Sequence, residues 1–163
     1  MRSTRVITLL GVSTAAAIVL SYVETLIPVS FAIPGIKLGL SNAVALFLLY
    51  KLDWKAAGAV NLIRVLISGL LFGSIASLAY SASGAVLSML VMAILKRSES
   101  FSAVGCSAAG AIAHNFGQLL MAVVILSAKE IMWYLPALIV SGALTGAAVG
   151  AATALLIKKI KID

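Results

Sequence analysis

The sequence is poor in charge. Of its 163 residues, 10% are charged and 63% are hydrophobic, and the mean hydropathy is +1.17. Soluble domains have about 25% charged and about 45–50% apolar residues, and a soluble fold of this size could not shield so much apolar surface from water. The composition therefore excludes a soluble enzyme, a nucleic-acid-binding protein and a disordered chain, and it predicts that the solvent is a lipid bilayer.

Carboxylates and cysteines are scarcer still. The chain has five acidic residues, no two close in sequence, and Asp53 and Asp163 are its only aspartates. A magnesium-dependent diphosphate enzyme would need an acidic cluster, a Ser-His-Asp triad would need an aspartate at the depth of His114, and no P-loop motif is present. The single cysteine, Cys106, excludes an intrachain disulfide and cysteine-rich metal sites. We therefore expect no catalytic residue, no metal site and no cofactor.

Long apolar runs are what the sequence has in abundance. Charged clusters and prolines separate six of them, near residues 6–27, 36–50, 56–72, 80–95, 103–126 and 135–157. A helix needs about 20 mostly apolar residues to cross a bilayer. We predict an all-α integral membrane protein in which residues 1–163 form a single domain, a bundle of six transmembrane helices. An uncleaved first helix is a simpler interpretation of the first run than a signal peptide.

The basic residues are divided unevenly between alternate loops. Nine of the 12 lie on one side of the predicted spans, Lys37 and Lys129 lie on the other, and Arg64 lies inside a span. Cytoplasmic loops of membrane proteins are enriched in lysine and arginine. The nine-to-two division therefore predicts that both termini are cytoplasmic.

Small residues recur at four-residue spacing on several spans. The stripes are Gly142-xxx-Gly146-xxx-Gly150, Gly11-xxx-Ala15, Ser13-xxx-Ala17-xxx-Ser21 and Gly69-xxx-Gly73. Small side chains on one helix face let two backbones approach closely in lipid. The stripes are consistent with internal packing of the bundle and with docking of a separate membrane subunit.

Four ionisable residues lie within the spans or at their ends, and four amides lie near them in sequence. The ionisable residues are Glu24, Lys37, Arg64 and His114, and the amides are Asn42, Asn61, Asn115 and Gln118. Ionisable groups are costly in a membrane, so each marks a candidate functional site. Residues three or four apart share a helix face, which places Asn61 beside Arg64 and His114 beside Gln118.

Convergence of these faces would form one cavity. Arg64 and Lys37 would supply fixed positive charge, and only Glu24 would oppose them. Such a cavity favours an anion, because the arginine fork suits a carboxylate or a phosphate. The alternatives are that Arg64 and Glu24 form a structural pair, that His114 fills a packing position, that Glu24 is solvated and that Lys37 is an interfacial lysine.

Five segments together resemble a known family. They are Gly35-Ile-Lys-Leu-Gly-Leu-Ser-Asn42, Leu62-Ile-Arg-Val-Leu66 with Leu71-Phe-Gly73, Ser83-Gly-Ala-Val-Leu-Ser-Met89, Gly110-Ala-Ile-Ala-His-Asn-Phe-Gly-Gln118, and Tyr134-Leu-Pro followed by Ser141-Gly-Ala-Leu-Thr-Gly146. The resemblance is to the Gx transporter family, whose members are often labelled heptaprenyl diphosphate synthase component I. That family resembles the substrate-binding S components of energy-coupling factor (ECF) transporters.

The resemblance implies a six-helix S component with a ligand pocket open to the outside. Such a protein docks on a membrane coupling subunit that carries two cytoplasmic ATPases, usually through small residues on its first helix. Gly11 and Ala15 match that docking face, with Ser13 and Ala17 as alternatives. The synthase label fits the residues poorly, because the sequence lacks an acidic cluster.

We interpret the chain as the substrate-binding subunit of an ECF-type importer in a bacterial cytoplasmic membrane. The expected partners are lipid, the ECF module and a small anionic, partly apolar nutrient or isoprenoid or quinone precursor; nucleic acid is not expected. The predicted substrate-binding residues are Lys37, Asn42, Asn61, Arg64, His114, Asn115 and Gln118. The alternatives are a non-transport structural membrane protein and a membrane subunit associated with prenyl diphosphate synthesis.

Overall fold

The structure, a computed structural model, describes residues 2–26 and 39–160. Within these residues the chain forms six α-helices and one 3-10 helix. They are α1 (Arg2–Leu26), α2 (Leu40–Lys51), α3 (Trp54–Phe72), α4 (Ile75–Arg97), α5 (Ala103–Leu126), the 3-10 helix (Lys129–Tyr134) and α6 (Leu135–Lys159). The prediction of an all-helical chain is confirmed for the part that the structure describes.

Five helical segments are long and apolar enough to cross a membrane, and the protein is a multi-pass membrane protein. The exception is α2, whose 12 residues extend about 18 Å, less than the hydrocarbon core of about 30 Å. The predicted second span, 36–50, begins outside the described residues. The predicted fourth span, 80–95, was too short, because α4 already begins at Ile75 and continues to Arg97.

Polar side chains fix where three of the helices begin. Asp53 accepts a hydrogen bond from the backbone N–H of Ala56 (2.7 Å) and starts α3. Ser74 and Ser77 form a reciprocal capping box at the start of α4, and Ser102 caps α5 in the same way as Asp53 caps α3. Each cap satisfies a backbone donor that the first turn of a helix leaves without a partner.

The short helix α2 lies at the centre of the bundle and contacts every other α-helix. Residues 45–49 of α2 are all buried. A charged group contacts each end: Glu24 Oε1 accepts from the backbone N–H of Leu40 (2.7 Å), and Lys96 Nζ donates to the carbonyl of Leu49. The carboxylate at the N-terminus and the ammonium at the C-terminus both complement the helix dipole. The first turn of α2 is thereby held in place beside α1.

The contact between α5 and α6 depends on the glycine stripe of α6. A Cβ at Gly146 would lie 2.8 Å from Ala108 Cα and 2.9 Å from Ser107 O, and Gly150 meets α5 equally closely. Only glycine allows this approach of the two backbones. Of the two interpretations of this stripe, the structure supports internal packing.

A second close crossing joins α4 to α5. A Cβ at Gly84 would lie 2.7 Å from His114 O, and one at Gly117 would lie 2.8 Å from Ser83 O. The hydroxyl of Ser83 also donates to the carbonyl of Gly117 (2.8 Å). The crossing fixes the turn of α5 that carries His114 and Gln118.

Candidate functional site

The centre of the candidate site is Arg64 on α3, which is only 6% exposed. Its Nη1 donates to Ser41 Oγ (2.8 Å) and to Ser21 Oγ (3.3 Å), and its Nη2 donates to Asn61 Oδ1 (2.6 Å). These acceptors belong to α2, α1 and α3, so one guanidinium connects three helices. Among the described residues the Nε–H of Arg64 finds no acceptor.

Glu24 belongs to the same network. Its Oε2 accepts from Ser41 Oγ (3.3 Å), and its Oε1 accepts from the N–H of Leu40 (2.7 Å). The hydroxyl of Ser41 thus accepts a hydrogen bond from Arg64 and donates one to Glu24. A structural pair of Arg64 with Glu24 is one of the alternatives for these charges, and the structure connects the two through this serine.

A small cavity, which we call the polar compartment, lies beside Arg64. Its volume of about 10 Å³ admits one water-sized group. It is lined by Glu24, Gly39, Ser41, Asn42, Arg64, Ala111, His114 and Asn115. Four of the predicted substrate-binding residues, from α2, α3 and α5, therefore line one cavity. The side-chain oxygen Oδ1 of Asn42 is buried there and accepts no hydrogen bond from the described residues.

A larger cavity, which we call the apolar compartment, lies between α4, α5, the 3-10 helix and α6. Its volume is about 340 Å³, and it is lined by Tyr80, Asn115, Gln118, Leu119, Ala122, Leu126, Ile131, Tyr134 and Leu138. Asn115 lines both compartments, and its Nδ2 donates to the carbonyl of Leu138 (2.9 Å). A Cβ at Gly142 would come within 2.9 Å of that nitrogen, so the glycine leaves room for the asparagine.

The other predicted substrate-binding residues take different positions. Asn61 supports Arg64 and contributes to a groove between α3 and α4 instead of the polar compartment. Of the two compartments, Gln118 lines the apolar one. Lys37 lies outside the described residues. The hydroxyls of Ser21 and Ser41 were missed, although Ser21 lies in a small-residue stripe and Ser41 in the motif that ends at Asn42, because a serine alone gives little signal within a span.

The two small-residue stripes of α1 occupy different faces. Ser13, Ala17 and Ser21 are buried against the bundle, whereas Gly11 and Ala15 are exposed. A Cβ at Gly11 would meet no atom within 4 Å. The face predicted for docking is therefore accessible, and the alternative residues Ser13 and Ala17 already pack internally.

The polar compartment brings charged groups and hydrogen-bonding groups together. It combines a guanidinium, two amides and an imidazole with one carboxylate that is already hydrogen-bonded. The described residues contain no group of three His, Cys, Asp or Glu side chains that could hold a metal ion. Arginine in such a site recognises a carboxylate or phosphate oxygen through its fixed fork of N–H donors.

A known family matches most of the chain. The model of the family described as heptaprenyl diphosphate synthase component I matches residues 13–156. The match includes all the residues that line the two compartments. No curated protein and no solved structure matches the chain.

Proposed function

The chain belongs to the heptaprenyl diphosphate synthase component I family, and within that family we propose that it is the membrane-embedded substrate-binding subunit of an ECF-type importer. Its substrate is a small anionic, partly apolar nutrient or precursor. The observation that carries the proposal is a buried arginine beside a compartment whose walls are mostly polar, within a bundle whose core is largely apolar.

The placement of Arg64 supports ligand binding. Burying a charged group inside a membrane protein costs free energy, about 2.5–3.5 kcal/mol on insertion scales. Three oxygen acceptors and the nearby Glu24 offset part of that cost, yet the Nε–H has no acceptor among the described residues. A bound anion would supply the missing acceptor and would explain why polar side chains of α2 and α5 line the same compartment.

The exposed face of α1 supports docking to a membrane partner. Gly11 and Ala15 lie one turn apart on a surface that nothing in the described chain covers. In lipid, small residues are where a second helix can approach most closely. We assign this face to the coupling subunit, which in turn carries the two ATPases.

Co-purification tests the docking step. The chain should be expressed with an ECF coupling subunit and its two ATPases, and Gly11→Leu and Ala15→Leu should reduce recovery of the complex. Val12→Leu is the matched control, because Val12 is an exposed, already branched residue of the same helix. Full recovery with both Gly11→Leu and Ala15→Leu would contradict docking through this face.

Native mass spectrometry tests the binding step. The purified chain should retain a small molecule that Arg64→Lys retains to a lower extent, because lysine keeps the charge but loses the fork of donors. Arg64→Ala should weaken binding further, by about 2–5 kcal/mol if a buried charge pair is broken. Unchanged retention together with poor expression of Arg64→Ala would instead identify Arg64 as a structural residue.

The family description favours a second candidate, a membrane subunit of prenyl diphosphate synthesis. In that case the purified chain, mixed with a soluble synthase partner and prenyl diphosphate substrates, would form product without ATP hydrolysis. The five acidic residues are dispersed along the chain, which is unfavourable for a magnesium–diphosphate site. Product formed only by the soluble partner would exclude this candidate.

A further inference from the structure

A groove of about 220 Å³, which we call the α3–α4 groove, lies between these two helices. Its lining includes residues four apart on each helix, namely Trp54, Gly58 and Leu62 on α3, and Ala85, Met89 and Ala93 on α4. Residues four apart share one helix face, so the groove follows the helix axes. Ala85 and Met89 at its floor are buried, whereas Leu62 at its rim is exposed. The groove therefore opens toward the surrounding lipid.

Small residues give the groove its depth. A Cβ at Gly58 would meet no atom of the described chain within 4 Å, so space is open beside α3 at this position. The two helices meet closely nearer to the loop that connects them, where a Cβ at Gly69 would lie 2.6 Å from Leu78 Cδ1. The groove lies away from that contact, toward the end of the helix pair that carries Trp54 and Ala93.

The groove has about the length of one lipid leaflet. Its lining on α4 extends from Ala82 to Ala93, about 16 Å along the helix axis. The hydrocarbon core of a bilayer is about 30 Å thick, so the groove covers about half of it. Trp54 at the end of the groove is exposed, which is typical of a tryptophan at the interface between membrane and water. The groove thus extends from one interface toward the midplane.

The walls of the groove suit an aliphatic chain. Asn61 lines it, but both the oxygen and the nitrogen of this amide have a partner: Oδ1 accepts from Arg64 Nη2 (2.6 Å), and Nδ2 donates to the carbonyl of Ala85 (3.5 Å). Apart from Trp54 at one end, the other lining residues are glycine or apolar. An aliphatic chain is at no disadvantage there, because it brings no polar group that would need a hydrogen bond.

Positive charge lies at the interfacial end of the groove. Lys55 is exposed, and its Nζ lies 5.9 Å from the centroid of the Trp54 ring. Arg97 is also exposed and lies one turn beyond Ala93 on the same face of α4. This end of the bundle carries four basic residues and two acidic ones, which are Lys51, Lys55, Lys96, Arg97, Asp53 and Glu99. Basic groups beside a cleft between transmembrane helices are suited to an anionic lipid headgroup.

We propose that the α3–α4 groove binds one acyl chain of an anionic phospholipid, whose phosphate lies beside Lys55 and Arg97. A phospholipid matches both features of the groove, because its charged headgroup lies at the interface and its chain extends toward the midplane. An α-helix of a partner protein is about 10–12 Å across with its side chains, too wide for about 220 Å³ extended over about 16 Å. The site depends neither on the proposed substrate nor on the coupling subunit.

Native mass spectrometry of the purified chain tests the proposal with two probes, phosphatidylglycerol and phosphatidylcholine with identical acyl chains. We expect one phosphatidylglycerol to bind saturably and about tenfold more tightly than phosphatidylcholine, because basic residues attract the anionic headgroup. Equal affinity for the two lipids would overturn the proposal.

Matched variants test the position of the chain. Gly58→Leu and Ala93→Leu each place a large side chain in the groove and should abolish the saturable binding of phosphatidylglycerol. Ala59→Leu is the control, because Ala59 is exposed on α3 and does not line the groove; it should retain binding. The two groove variants lie on different helices, so either one makes the test if the other fails to fold.

Two results with these variants would contradict the proposal. Equal loss of phosphatidylglycerol in the groove variants and in Ala59→Leu would mean that the lipid does not occupy the groove. Unchanged lipid binding in both groove variants, together with weaker assembly on the coupling subunit, would identify the groove as a contact with a protein.

Charge variants test the position of the headgroup. Lys55→Gln combined with Arg97→Gln should reduce the preference for phosphatidylglycerol over phosphatidylcholine about tenfold. Lys158→Gln combined with Lys159→Gln removes the same charge from exposed residues at the end of α6 and should leave the preference unchanged. Equal loss in the two double variants would mean a general attraction to the net charge of +7 and would overturn the site.

Discussion

The hydroxyl of Ser41 lies between Arg64 and Glu24, accepting a hydrogen bond from the guanidinium and donating one to the carboxylate. Two opposite charges from α3 and α1 are thereby coupled through the first turn of α2. A charge inside a membrane protein needs a partner, and here the partner is reached through a neutral group. The Nε–H of the guanidinium is buried and has no acceptor among the described residues.

The coupling of these two charges predicts non-additive mutations. Arg64→Met and Glu24→Gln should each destabilise the purified protein, and the double variant should be more stable than the sum of the single effects indicates, by about 0.5–3 kcal/mol. Reversible unfolding in detergent measures each free energy. Glu130→Gln is the control, because Glu130 is exposed on the 3-10 helix. Its effect on the free energy of unfolding should add to that of Arg64→Met. Additivity of Arg64→Met with Glu24→Gln would mean that the two groups act independently.

The bridging hydroxyl itself predicts a difference between two buried serines. Ser41→Ala should lower the free energy of unfolding by about 1–3 kcal/mol, because it removes an acceptor from Arg64 and a donor from Glu24. Ser88→Ala is the same substitution at a residue that is 0% exposed and whose Oγ has no partner in the described chain, and it should be neutral or stabilising. Comparable losses for both variants would show that the Ser41 bridge contributes nothing specific.

The glycines predict opposite effects on two helices. Gly146→Ala should destabilise the bundle by about 1–3 kcal/mol, because its Cβ would lie 2.8 Å from Ala108 Cα and a backbone would have to shift to admit it. Gly11→Ala introduces a methyl group with no atom within 4 Å and should not lower stability, since alanine favours the helix over glycine. Thermal unfolding of both variants makes the comparison, and a stable Gly146→Ala would argue against close α5–α6 packing.

The distribution of basic residues predicts the orientation. Reporter fusions after Asp163 and in the loop that follows Lys96 should both report a cytoplasmic location, and a fusion beside Lys129 should report the opposite side. The three positions sample both ends of the bundle. A cytoplasmic signal at Lys129, or an external signal at either of the others, would contradict six spans with both termini inside.

Much of the fold followed from composition and spacing. In a bilayer a chain of this hydropathy forms helices, because a helix hydrogen-bonds each backbone polar group within its own segment. The predicted runs near 103–126 and 135–157 correspond closely to α5 and α6. The predicted fourth run begins at residue 80, five residues late, because Ser74 caps the helix and α4 begins at Ile75.

The site residues could be predicted from the cost of burying polar groups in a membrane, but the way they group in space could not. Arg64, Asn42, His114 and Asn115 were all singled out as polar groups within the spans, and the structure brings them to one compartment. The periodicity that placed Asn61 and Arg64 on one face also held, since they are hydrogen-bonded. Gln118, one turn beyond His114, instead faces a separate compartment.

The tertiary structure decided which helix faces meet, because no pattern along the chain contains that information. Spacing along one helix defines a face, but the partner of that face depends on which helices cross and how closely. The central position of the short helix α2 lets Ser41 reach both Arg64 and Glu24, and the crossings at Gly84 and Gly146 set how closely α5 lies against α4 and α6. The sequence by itself determined that the chain lies in a lipid bilayer, that it forms helices, and which polar residues are costly to bury there. Only the packing of the helices decided which of those residues meet.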